Sequence, residues 1–277
     1  MKLSWVDVFT ERAFAGNQLA VVHGADDLSD DQMQAVAREL TISETVFVGA
    51  DASWLRIWTP GYELPGAGHP VVGASLDLAR LGSIPSDGSW ALRSGALEIP
   101  VELADGVATM NQGEPELGIE HDTTAVTAAL GIDESDLASL PQHCSTGVRQ
   151  VFAQVADREA LRALQPDFEL VRGLERADGL VAWCEVGPGG VAQRFFAPQM
   201  GIPEDPATGS AAGALGALRV FRGADPGPLV VRQGEEIGRP SEMQVTVEGS
   251  AGSPSEVRVG GRAVLVFEGE IEVPAVS

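Results

Sequence analysis

The sequence predicts an α+β protein of two similar halves, each a curved sheet wrapped on one buried helix. Three observations predict this. Strand-like and helix-like segments alternate along all 277 residues. A block of sequence recurs about half a chain apart. Each copy of that block leads into a helix that lacks a polar face over its first turns, and such helices are usually buried.

The first half opens with a strand at residues 5–9, a turn-rich stretch at 11–17 and a second strand at 19–22. Ser29 reads as a helix N-cap, with Gln32 three residues on completing a capping box. Met33, Val36, Ala37 and Leu40 follow at helical spacing. Residues 45–48 and 54–58 read as strands, 71–81 as an apolar helix closed by Gly82, and 91–110 as alternating strands. The segment 113–124, rich in glycine, proline and acid, is the expected linker.

The second half has strands at 150–155, 180–185 and 192–196, a short helix at 158–164, a small-residue helix at about 211–221 and a closing strand at 263–267. The expected domains are residues 1–115 and residues 120–260.

The repeat carries the functional signal. Arg56-Ile57-Trp58-Thr59-Pro60 leads to Pro65-Gly66-Ala67-Gly68-His69, and Arg194-Phe195-Phe196-Ala197-Pro198 leads to Pro206-Ala207-Thr208-Gly209-Ser210. Each copy is a strand end, a loop, a Gly-polar pair and an apolar helix. Helix N-termini present unpaired N–H groups and partial positive charge, and so bind anions. Glycine at 68 and 209 lets a ligand approach the backbone. Pro70 suits the first helical position, and Ser210 suits an N-cap. Two such turns facing each other across a domain interface would grip a small carboxylate.

Composition narrows the function. The formal net charge is −22 and Lys2 is the only lysine. Nucleic acid and anionic membranes need a positive footprint, so neither is an expected partner. No apolar run reaches the ~18–20 residues of a membrane span, and no export signal is recognisable. Cys144 and Cys184 are isolated, form no ligand spacing with the four histidines, and read as small buried hydrophobes of a cytoplasmic protein. No metal site, phosphate loop, GxGxxG turn or GxSxG elbow is present. Acid–base chemistry without a cofactor is the expectation.

Glu44 is the leading acid–base group. If residues 42–48 are a strand, Ile42, Glu44, Val46 and Val48 share one face. A carboxylate on an apolar face is desolvated, which raises its pKa toward neutrality. The alternative is an exposed acid at a turn. His69 could donate or relay a proton, or simply cap. Asp205 could orient a substrate, or simply form a turn before Pro206. His23, His121 and His143 lack comparable settings.

These motifs together resemble the phenazine biosynthesis-like isomerases. The resemblance rests on Val6-Asp7-Val8-Phe9-Thr10, Phe14-Ala15-Gly16-Asn17, Ser43-Glu44-Thr45-Val46-Phe47-Val48 and Gly68-His69. It continues through Arg194 to Pro198, Gly201-Ile202-Pro203-Glu204-Asp205-Pro206-Ala207-Thr208-Gly209-Ser210 and Gly238-Arg239-Pro240-Ser241. It implies the diaminopimelate-epimerase-like α+β fold: two homologous domains, each a mostly antiparallel, barrel-like sheet around a central helix, the first completed by a C-terminal strand at 262–272, with the active site in the cleft between them. It implies a homodimer and a trans-2,3-dihydro-3-hydroxyanthranilate isomerase-like reaction on a small carboxylate. By resemblance the catalytic set is Glu44, His69, Asp205 and Ser210, and the substrate-binding set is Asn17, Ser43, Gly68 and Gly209. Related racemases use two opposed cysteines where this chain has Ala67 and Thr208, so two-thiol racemisation is not expected. An epimerase using other groups, and a binding protein without turnover, are the competing readings.

Overall fold

The computed structural model describes residues 1–274. The chain divides into two compact units: residues 1–111 with the chain from Gly260 onward, and residues 112–259. In chain order the first unit contains β1 (Lys2–Val8), β2 (Asn17–His23), α1 (Asp30–Leu40), β3 (Thr45–Val48), β4 (Leu55–Trp58), β5 (Glu63–Leu64), α2 (Gly68–Arg80), β6 (Gly88–Ser94), β7 (Leu97–Ala104) and β8 (Val107–Gly113). The second contains β9 (Glu116–Glu120), α3 (Thr123–Leu130), β10 (Gln142–Ser145), β11 (Arg149–Gln154), α4 (Arg158–Ala163), α5 (Phe168–Arg172) and β12 (Gly179–Glu185). It continues with β13 (Gly190–Ala197), β14 (Ile202–Asp205), α6 (Gly209–Phe221), β15 (Gly227–Gln233), β16 (Ser241–Ser250) and β17 (Ser253–Gly261). β18 (Ala263–Glu270) then returns to the first unit.

In the first unit, six strands run in the order β18-β1-β2-β3-β4-β5. β1 is antiparallel to both β18 and β2, whereas β2 is parallel to β3. Trp5 of β1 stacks on Phe267 of β18 with ring centroids 5.7 Å apart. α1 has the expected Ser29–Gln32 capping box, and its Met33, Val36 and Ala37 join a core with Ala20, Val22 and Phe47. α2 is buried from His69 through Ser75. It approaches β1 and β2 so closely that a Cβ on Gly73 would lie 2.6 Å from both Leu19 and Val8. β6, β7 and β8 form an antiparallel meander.

In the second unit the order is β17-β16-β15-β13-β12-β11-β10-β9, with β14 on β13. Val151, Ala153, Leu180, Ala182 and Phe196 form one core with Val126 and Leu130 of α3, Leu161 of α4 and Val171 of α5. α6 is buried along almost its whole length. A Cβ on Gly216 would meet Val245 and Val247 of β16 at 2.9 and 3.0 Å.

Four expectations need correcting. The sheets are open rather than barrel-like: the first ends on the two-residue β5, too short to close a ring, and the second on β9, exposed at all five residues. The expected linker at 113–124 is mostly structured, because β9 lies within it and pairs with β10. Its Glu-Leu-Gly-Ile-Glu run is only five residues long and is centred on Gly118, a weak strand former, so composition masks it. Pro70 is the third rather than the first residue of its helix, which starts at Gly68 after an Ala67 N-cap. Ser210 is the second residue of α6, and Thr208 holds the N-cap position without a side-chain capping bond.

Candidate active site

The first-unit site is built on the start of β2, the start of β3 and the first turn of α2. β1 ends in a turn tied by buried Asp7, whose Oδ2 accepts the Phe14 N–H at 2.7 Å. Gly16 closes it at φ 64°. A Cβ there would lie 2.2 Å from the Val8 carbonyl oxygen, so only glycine fits. The turn delivers Asn17, buried, as the first residue of β2. Because Ala20 registers in parallel with Thr45, Asn17 and Glu44 stand at the same end of neighbouring strands.

Glu44 immediately precedes β3 rather than lying within it. Its side chain is only 12% exposed, so the exposed-turn alternative fails. Its Oε2 accepts no hydrogen bond. Burial pushes the carboxyl up to about 7, and the Ser43 hydroxyl only partly opposes this. Stripping water from a carboxylate without a compensating donor penalises the charged form. Glu44 Oε2 lies 3.5 Å from His69 Nε2, and the imidazole is itself buried. His69 is the second residue of α2, held there by a helix that starts at Gly68 with no side-chain cap. The N–H groups of a helix's first turn lack intrahelical acceptors, so the start of α2 is a place where an anion can bind.

The second-unit site is the loop from Asp205 to Ser210. Thr208 Oγ1 donates to Asp205 Oδ2 at 2.5 Å. Gln233 locks this pair: its Nε2 donates to the Asp205 carbonyl at 2.7 Å and to Thr208 Oγ1 at 3.1 Å, and its Oε1 accepts the Thr208 N–H at 3.1 Å. Gln193 Nε2 donates to the same Oε1 at 2.7 Å. Ser241 Oγ donates to the Pro206 carbonyl at 2.7 Å, which gives the Gly238-Arg239-Pro240-Ser241 motif a structural role. Arg194 holds Glu204 through two bonds of 2.9 Å, fixing the strand that leads into the loop. Gln150 Nε2 donates to Ser210 Oγ at 3.1 Å, leaving that hydroxyl its own hydrogen to give.

Each unit thus gathers part of the anticipated set. Asn17, Ser43, Glu44, Gly68 and His69 belong to the first unit, and Asp205, Gly209 and Ser210 to the second. Gln150, Gln193 and Gln233 escaped the sequence reading, because an isolated glutamine carries no periodic or charge signal. Cys144 and Cys184 are buried and form no disulfide, and burial pushes the Cys144 thiol up to about 12. Among the described residues, no three His, Cys, Asp or Glu side chains gather closely enough to share a metal ion. No helix there is long and apolar enough to cross a membrane.

The phenazine biosynthesis-like protein model matches residues 6–269. The chain belongs to that family. It is 36% identical over 280 residues to a trans-2,3-dihydro-3-hydroxyanthranilate isomerase of Pseudomonas fluorescens, covering 96% of this chain and 97% of that protein. The crystal structure of a Bacillus anthracis phenazine biosynthesis protein of the PhzF family superposes with a TM-score of 0.88 at 25% identity, covering 98% and 99% of the two chains. A probable proline racemase from Agrobacterium radiobacter shares the fold alone, with a TM-score of 0.63 at 14% identity over 98% of this chain and 92% of that one. Within the phenazine biosynthesis-like family this chain is an isomerase, the class its curated relatives carry by name.

Proposed function

We propose that the enzyme moves a proton on a small unsaturated carboxylate like trans-2,3-dihydro-3-hydroxyanthranilate, with Glu44 as the acid–base group. The observation that carries this reading is the Glu44 carboxyl: buried, raised to about 7 and 3.5 Å from His69. At neutral pH such a group is present in both forms, so it can take a proton and give it back. Glu44 as carboxylate removes a proton from a ring carbon, and the electron pair spreads into the conjugated system. The same carboxyl then returns the proton to another carbon of that system, provided water is kept out. Acid–base groups alone suffice, and no cofactor is called for.

The backbone donors at Gly68 and Gly209 would hold substrate anions without lysine, against the field of a chain of net charge −22. Asn17, Ser43, His69, Asp205 and Ser210 complete the proposed set. Two-thiol racemisation is disfavoured, since Ala67 and Thr208 are not thiols and Thr208 Oγ1 is already committed to Asp205 and Gln233. The working form in this reading is a cytoplasmic homodimer.

The test is incubation with trans-2,3-dihydro-3-hydroxyanthranilate in deuterated water, followed by NMR. We expect isomerisation by the wild type and loss of at least ~100-fold in rate for Glu44→Gln, the usual size of a general acid–base contribution. Wild-type rates in the Glu44→Gln protein would remove Glu44 from the reaction.

A further inference from the structure

The second unit holds another polar hollow, which the proposed reaction does not use. Strand register fixes its anatomy. Glu116 of β9 stands opposite Ser145 of β10, which stands opposite Arg149 of β11. The three form a row across one face, each about 5 Å from the next. Side chains alternate along a strand, so the neighbouring Gln150 faces the other way, where it meets Ser210. The sheet therefore separates this row from the Ser210 hydroxyl.

The hollow measures about 260 Å³ and is also bounded by Leu117, Ile119, His143 and Arg176. That is just below the ~300–1,000 Å³ of drug-sized pockets, so it suits a small metabolite. Gly118 helps to shape it, because a Cβ there would lie 2.6 Å from His143 Cβ. Ile119, beyond the register shift in β9, is 60% exposed and offers apolar surface.

The charges are unusual for this protein. Most arginines are held by carboxylates, as Arg56, Arg158 and Arg219 are. Arg149 has only a loose contact with Asp178 at 3.6 Å. Arg176 and Glu116 have no ion pair among the described residues. A plain anion here would face Glu116, and a plain cation would face two guanidinium groups. A molecule carrying both charges satisfies all three.

His143, in the lining, is 7% exposed, and its Nε2 lacks a hydrogen-bond partner. Burial lowers its pKa, and neighbouring His121, Arg149 and Arg176 add to this while Asp178 opposes it. Its ring thus senses the field of the hollow.

We propose that this hollow binds a small zwitterion, an α-amino acid with an apolar side chain. Its ammonium meets Glu116, its carboxylate meets Arg149 and Arg176, and its side chain lies on Ile119. The site is independent of the reaction proposed above.

Imidazole NMR tests this, since the chain has four histidines. Titration with L-leucine is expected to shift the His143 ring signals saturably at millimolar concentrations. The paired Arg149→Gln and Arg176→Gln change, or Glu116→Gln alone, should weaken binding about tenfold, the loss of one charge-assisted contact. These side chains are exposed, and an unchanged melting curve will confirm folding. 4-Methylpentanoate and isoamylamine, each lacking one charge, should bind more weakly than leucine. A His143 signal that leucine leaves unmoved, or a shift indifferent to all these substitutions, would overturn the site. Equal binding of 4-methylpentanoate would overturn its zwitterion preference.

Discussion

At residue scale, the Glu44 carboxyl sets two pH dependences of opposite sense. As a base it must be ionised, so kcat/KM should rise with pH and level off above about 7. Stability runs the other way. The folded-state pKa is raised from 4.5 to about 7, so folding favours the protonated form. That contribution is complete below the unfolded pKa and is lost as pH climbs through the folded one, by about 3 kcal/mol. Glu44→Gln, which cannot ionise, should therefore match the wild type at low pH and exceed its stability above pH 8 by roughly that amount. Urea unfolding at the two pH values reads it directly; equal stabilities at both would mean that the carboxyl is well solvated. This residue was legible in the sequence because a lone acid stood among Ile42, Val46 and Val48. The strand at 45–48 was read with the bounds it has, whereas its extension back to residue 42 fails, since residues 42 and 43 form a bend. The polar clamp of Gln193, Gln233 and Ser241 was not legible, because its parts meet only through long-range strand pairing.

At element scale, the two apolar helices are where sequence and structure agree best. Both begin at the repeated glycine, and both are buried over the turns that lacked polar residues. Their internal glycines give close approach. Gly73→Ala forces a Cβ to within 2.6 Å of Leu19 and Val8. We expect a loss of about 1–3 kcal/mol from overpacking, outweighing the gain in helix propensity. A more stable variant would show that α2 moves away from β1 at little cost. The loop before α6 makes a parallel prediction. Gln233→Leu leaves the Asp205 carbonyl and the Thr208 N–H without their partner. Each such buried group costs about 1–3 kcal/mol, and turnover should fall with it. The elements that escaped prediction, among them β5, β9, β10, β14, α3 and α5, are short or wet on both faces. Periodicity needs a longer amphipathic run than they supply.

At the scale of the whole molecule, charge and chain topology matter most. A net charge of −22 implies self-repulsion at low ionic strength. Added salt screens it, so the melting temperature should rise between low and physiological ionic strength. An unchanged Tm would show that ion pairs such as Arg56–Glu63 and Arg194–Glu204 already balance the field. The chain completes its first unit last: β18 pairs along the whole of β1, from Lys2 to Val8. The tail strand was readable as a strand, and the family resemblance, not its own residues, suggested where it pairs.

The central claim is that one buried carboxyl is poised for proton exchange near neutral pH, and carboxyl-labelled glutamate followed by ¹³C NMR tests it without any substrate. One glutamate should titrate with a midpoint near 7 and vanish in Glu44→Gln. A spectrum in which every glutamate titrates near the ordinary value of 4.5 would contradict the account.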